Sequence, residues 1–124
     1  MAAHTMASIK NLTANVSIAE RAEMATSIWT RFRGLMLRPN IEPNFGMVID
    51  PCTSIHMFFM RFPIDVLYVD RDDRVVRLQE DLKPWRLGPL HTKGARYVVE
   101  LPAGTVRNTG TNVGDQIEIR VPGS

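Results

Sequence analysis

The chain has a single cysteine, Cys52, among 124 residues, so an internal disulfide is excluded and no disulfide framework reports the compartment. No apolar run approaches the roughly 18 residues that a membrane helix needs. The first ten residues, MAAHTMASIK, lack the apolar core of a secretory signal. Internal repeats, low-complexity stretches and a linker between two compositions are also absent. Missing too are a Gly-rich phosphate loop, G-x-G-x-x-G, H-E-x-x-H and G-x-S-x-G, which removes the readiest sequence routes to nucleotide, zinc-protease or serine-hydrolase chemistry. Lysine is scarce: Lys10, Lys83 and Lys93 are the three among 15 basic residues, the other 12 being arginine. Arginine suits bidentate contacts with carboxylate or phosphate, but a GC-rich genome produces the same bias. The basic residues are dispersed among 13 acids at a net charge of +2, so no nucleic-acid partner is expected.

What is present describes an ordinary globular protein. An apolar fraction of 44% and a charged fraction of 23% argue against disorder. The length fits one domain, expected over residues 8–122, with residues 1–7 read as a disordered leader or vector-derived. His4 falls in that leader, and Met6 is an alternative start. The expected location is cytoplasmic, or exported or periplasmic if a natural leader was removed. The sequons Asn11-Leu12-Thr13 and Asn15-Val16-Ser17 carry little meaning without a signal peptide.

Residues 16–24 alternate as Val16, Ile18, Glu20, Ala22 and Met24, a strand pattern, although Glu20 to Glu23 also suit a helix. Thr26 or Ser27 can cap a helix whose Ile28, Trp29, Phe32, Leu35 and Met36 share a face, with Gly34 tightening or ending it and Arg38-Pro39 stopping it. Gly46 to Ile49 reads as a short buried strand. Residues 64–82 read as a β-hairpin turning at Asp72-Asp73. A strand over 96–101, a helical turn over 104–108 and a strand over 116–121 complete the pattern. The fold class is therefore α+β, mainly β: a curled antiparallel sheet or partial barrel with one short helix packed on it.

The segment from Cys52 to Asp65 concentrates the chemistry. In extended backbone Cys52, Ser54, His56, Phe58 and Met60 would share one face and Met57, Phe59 and Arg61 the other. Cys52 and His56 would share a face in a helix as well, but in a strand they stand about 13 Å apart. Four readings follow. A thiol-dependent enzyme would use Cys52 as nucleophile, His56 as base and Asp65 to orient the imidazole. A soft-metal protein would bind Cu or Zn through Cys52, His56, Met57 and Met60, without a second Cys or paired His to complete a standard site. A binding domain would line an apolar pocket with His56, Arg61 and Asp65 as its polar contacts. In the fourth, the Met and Phe residues are core, Cys52 is a small buried hydrophobe, His56 is hydrogen-bonded and Asp65 caps a turn. Pro84-Trp85-Arg86 is a second cluster, able to stack a planar ligand or to close the barrel end. His91 lies in a loop beyond Gly88-Pro89.

Five blocks then carry a resemblance: Arg31 to Arg38 (RFRGLMLR), Gly46 to Ile49, Cys52 to Met60 (CTSIHMFFM), Ile64 to Asp70 (IDVLYVD) and Tyr97 to Gly104, closed by Val113-Gly114-Asp115. In this order they resemble domain-of-unknown-function family 192, small bacterial and archaeal proteins, over about residues 15–120. The resemblance implies a compact β-rich fold and no assigned activity, and many members carry export leaders. Members often have Trp-Met and Asn where this chain has Phe59-Met60 and Arg61, which shifts weight from Arg61 to His56 and Asp65. The reading that results is a non-enzymatic small-ligand or peptide binding domain. His56, Arg61, Asp65, Trp85 and Arg86 would touch the ligand, with no cofactor, resident metal or membrane span; the oligomeric state is not read.

Overall fold

The computed structural model describes residues 6–89 and 91–123. Strands β1 (Met6–Asn11) and β2 (Val16–Ala25) lead into helix α1 (Ile28–Arg33) and strand β3 (Phe45–Ile49). Strands β4 (Ile64–Asp70) and β5 (Val75–Leu82) form the expected hairpin. Strand β6 (Ala95–Pro102), helix α2 (Thr105–Thr109) and strand β7 (Ile117–Arg120) follow. The seven strands form one sheet in the order β5-β4-β6-β3-β2-β1-β7. Among the described residues β2 and β3 pair in parallel and the other neighbouring strands run antiparallel. The sheet curls until its two edges meet, where Arg74 bridges Gln116 and the Val75 N–H donates to the Asp115 carbonyl. The mainly β half-barrel expected from the sequence is what the chain forms.

The central strands explain the sequence pattern. β3 is buried at every residue and β4 from Ile64 through Val69, because both sheet faces are covered. Strands buried on both faces lose the polar alternation of a half-exposed sheet. Leu67, Val69, Val99 and Leu101 pack inside the curl with Ile9, Ala19 and Ile117. Val66, Tyr68 and Val98 point outward and are covered by Ile55, Met57 and Met60.

Three expectations need adjustment. The sheet begins at Met6, inside the stretch expected to precede the domain, and β1 pairs with both β2 and β7; residues 1–5, including His4, lie outside the described residues. The helix is shorter than its apolar periodicity. Ser27 caps it by accepting from the Thr30 N–H, and Gly34, at φ +47°, ends it after six residues. Ile28, Trp29 and Phe32 remain exposed, and Leu35 enters the core only beyond the helix. The third adjustment concerns residues 52–63, which form a looped segment over the outer sheet face, neither strand nor helix. Met57 and Met60 are core as expected, while Phe58 and Phe59 are exposed. Phe59 adopts φ +62°, and this turn separates the exposed rings from the buried methionines.

Candidate functional site

Three stretches that are apart in sequence are joined by backbone hydrogen bonds on the outer face. The Met57 N–H donates to the Arg86 carbonyl at 2.7 Å, and the Trp85 N–H returns to the Met57 carbonyl at 2.7 Å. The Gly88 N–H reaches the Ile55 carbonyl at 2.9 Å, and the Leu37 N–H reaches the Phe59 carbonyl at 2.9 Å. The segment after α1, the 52–63 segment and the loop after β5 are thus held together by main-chain polar groups that need no particular side chain.

This stitching leaves the side chains free to form a strip of six rings. Trp29 contacts Phe32 (6.4 Å between centroids), Phe32 contacts His56 (5.9 Å), and His56 stacks on Phe58 (5.3 Å). Trp85 closes the series against Phe58 (6.2 Å) and Phe59 (5.0 Å). Trp29 is 67% exposed, Phe32 59% and Trp85 59%, so these rings are a surface and not a core. Ile28, Leu37 and Leu87 add exposed apolar area. Large contiguous apolar surface of this kind marks interaction sites in soluble domains. The charge around it is one-sided. Residues 27–38, 51–64 and 82–89 hold six of the 15 Lys and Arg and none of the 13 Asp and Glu. Arg33, Arg61 and Arg86 are exposed, whereas Arg38 is paired with Glu23 at 2.8 Å and Lys83 with Asp81 at 2.7 Å.

Beneath the strip lies a small cavity of about 40 Å³, lined by Arg31, Gly34, Cys52, Ser54, His56 and Glu100 among others. It adjoins a shallow groove of about 480 Å³ bounded by Ile28, Phe32, Cys52 and Ser54. Glu100 is buried (4% exposed), and its Oε1 has no hydrogen-bond partner among the described residues. Burial pushes its carboxyl up to about 7, partly opposed by the positive charge of Arg38. The Arg31 Nε is also buried without a partner, although its Nη1 donates to the Pro51 carbonyl at 3.2 Å.

The residues expected from sequence separate into two groups. His56 and Trp85 both meet Phe58 in the strip, Arg86 joins the 52–63 segment through its backbone carbonyl and is exposed, and Arg61 is exposed on the 52–63 segment. Asp65 stands elsewhere. Its Oδ1 accepts from the Asp81 N–H (2.9 Å) and its Oδ2 from the Gly104 (3.1 Å) and Val106 (2.9 Å) N–H groups. The carboxylate therefore ties β4 to β5 and to the start of α2, the turn-capping role weighed for it above. Cys52 is half-buried, and its thiol donates to the Ser54 carbonyl at 2.9 Å and not to His56. Burial pushes that thiol up, the Ser54 hydrogen bond partly offsets this, and the Glu100 charge adds to the rise. The His56 Nδ1 accepts from the Phe58 N–H at 3.3 Å. Among the described residues no group of three or more His, Cys, Asp and Glu is arranged to hold a metal ion. His91 meets Thr53 at 3.3 Å. Sequence reasoning passed over Trp29, Phe32, Arg31 and Glu100; a glutamate inside the apolar run Tyr97-Val98-Val99-Glu100-Leu101 was the available signal for the last.

The model of family DUF192, described as uncharacterized ACR, matches residues 9–119. The chain belongs to the DUF192 family. Relatives include a UPF0127 protein of Thermococcus sibiricus, 37% identical over 105 residues, covering 82% of this chain and 67% of the relative. The UPF0127 protein TK1120 of Thermococcus kodakarensis is 39% identical over 101 residues, but this chain spans only 63% of its length. The Pyrococcus furiosus protein PF1050 is 34% identical over 111 residues, with 87% and 94% covered. A Sinorhizobium meliloti structure, whose description proposes a transcription regulator, superimposes with a TM-score of 0.80 at 26% identity over 94% of both chains. A Novosphingobium aromaticivorans structure of unknown function shares the fold alone, at TM-score 0.75 and 22% identity over 93% of this chain and 84% of that one. Among the described residues of this DUF192 chain no helix is long and apolar enough to cross a membrane.

Proposed function

We propose that this DUF192 domain is a non-enzymatic binding module whose ligand is an acidic peptide bearing apolar side chains, laid along the six-ring strip. The single observation that carries this reading is the joining of exposed rings from three segments whose own residues include arginine and lysine but no acid. Aromatic anchors with arginine at the rim are the composition of protein-binding hot spots. Small ligands instead favour enclosed pockets that bury most of their surface. His56, Trp85 and Arg86, with Arg61 on the same segment, supply the contacts, and Asp65 supports the scaffold behind them. A thiol-dependent reaction draws no support from a Cys52 thiol held up by burial and bonded to a carbonyl. DNA binding, suggested by the description of the Sinorhizobium protein, draws none from a strip of rings without a long basic helix.

The test is selection of peptides from a random phage-displayed library on the immobilised domain, followed by fluorescence anisotropy of the winners. Acidic, aromatic-rich peptides should emerge, and the Phe58→Ser/Trp85→Ser double variant should weaken them at least about 30-fold. Peptides without acidic residues, or peptides indifferent to the double variant, would overturn the reading. So would co-sedimentation of the domain with phosphatidylglycerol vesicles that is lost in the same variant, since the strip would then be a lipid-facing surface.

A further inference from the structure

The cavity below the strip has a different character from the strip itself. Two of its lining residues, Glu100 and Arg31, each carry a buried atom without a partner, Oε1 and Nε, and buried polar groups in folded proteins are seldom left so. Its volume of about 40 Å³ leaves room for roughly three non-hydrogen atoms. Position 34, part of its lining, has no side chain to intrude on it. A Cβ there would lie 3.3 Å from Glu100 Oε1 and 3.4 Å from the Ile49 side chain, at a backbone φ of +47° that L-residues avoid.

The chemistry of the two orphan atoms restricts the occupant. Glu100 calls for a hydrogen-bond donor, and the Arg31 Nε–H calls for an acceptor. A carboxylate would satisfy Arg31 and be repelled by Glu100. An ammonium would satisfy Glu100 and bring a further cation beside Arg31 and Arg38. A neutral carboxamide carries an N–H donor and a carbonyl acceptor on one planar group and adds no charge to a buried site. We propose that the cavity is a subsite for a carboxamide, such as an Asn or Gln side chain or a terminal amide, entering from the groove beside Cys52 and Ser54. That the amide belongs to a peptide rests on the strip reading; the subsite itself does not.

The probe is acetamide, followed in amide-resolved proton–nitrogen spectra of the whole chain, with acetate and methylammonium as controls. Acetamide should give saturable shifts confined to the Gly34, Ser54 and Glu100 amides, with millimolar affinity at least about fivefold better than either ion. Glu100→Leu should remove the response. If that variant does not fold, Glu100→Gln keeps the shape of the side chain. The groups facing Glu100 are Arg31, Arg38, Cys52, His56 and Tyr68. Glu100→Gln removes the carboxylate and keeps all of these groups, so a pH response lost in that variant belongs to Glu100. Between pH 6 and 8 the wild type should gain about twofold or more in acetamide affinity as its carboxylate forms a charge-assisted bond, and the Gln variant should not change. Equal responses to all three probes, or no saturable shift up to about 100 mM acetamide, would overturn the proposal and leave a cavity filled by water. Peptides selected on the strip would survive that failure, and loss of the strip reading would leave the acetamide response intact.

Discussion

Two buried carboxylates sit one register step apart in adjacent strands, and their surroundings are opposite. Asp65 of β4 pairs with Leu101, and Glu100 of β6 pairs with Val66, so the two side chains leave opposite faces of the sheet. Inside the curl, three backbone N–H groups surround Asp65. Under the strip, Glu100 keeps an oxygen without a donor. A satisfied carboxylate holds elements together, whereas an unsatisfied one raises the energy of the folded state and is tolerated where something else is to bind. The first face is the scaffold. The second is where the chain has left polar capacity unused.

The largest effect is expected at Asp65. Asp65→Ala would leave three buried N–H groups without an acceptor, and we expect a loss of about 4 kcal/mol in urea unfolding. A loss below about 1 kcal/mol would mean that the cage contributes little.

Glu100 should show the reverse behaviour with pH. Its folded-state value of about 7 lies above the ordinary 4.5, so the folded state holds the proton more tightly. Stability is full below pH 4.5, falls as pH rises towards 7 and is level above it, a total of about 3 kcal/mol. Glu100→Gln should flatten that slope in urea midpoints measured from pH 4 to 8. An unchanged slope would assign the titration to other groups.

Removal of the phenol at Tyr97 gives a smaller effect on the scaffold face. The Tyr97 hydroxyl donates to Asp73 at 2.7 Å, and burial followed by that bond pushes the phenol upward. Tyr97→Phe should cost about 1 kcal/mol. The smallest stability change belongs to the strip. Phe58→Ser with Trp85→Ser should alter unfolding by less than about 1 kcal/mol, because rings this exposed contribute little burial. A larger loss would make the strip part of the core. Cys52 supplies a chemical check on the same region: iodoacetamide at pH 7.4 should alkylate it more slowly than a free thiol, because burial raises the thiol and limits access.

Much of the scaffold was legible in the residues, because a strand or a cap is a local matter. The 64–82 hairpin and a helix cap at Thr26 or Ser27 follow from alternation, turn residues and capping chemistry over a few positions, and the structure chooses Ser27 and ends the helix at Gly34. Helix α1 shows the limit of that reasoning. Its apolar spacing was real, but the face it makes is turned to solvent, and periodicity reports which residues share a face without saying what that face meets. For Phe58 and Phe59, between two buried methionines, no period applies at all, since a positive φ at Phe59 breaks any regular pattern.

A small β-rich domain of the DUF192 family, with an unusual stretch over residues 52–65, could be read from the residues without coordinates. Tertiary structure alone decided that Asp65 belongs to the scaffold and that Trp29, Phe32 and Trp85 join His56 in one strip. It also decided that Glu100 lies at a cavity instead of in a sealed core. The physical reason is common to all three. Each depends on backbone hydrogen bonds and sheet register between segments far apart in the chain, and such bonds are made by atoms that every residue carries.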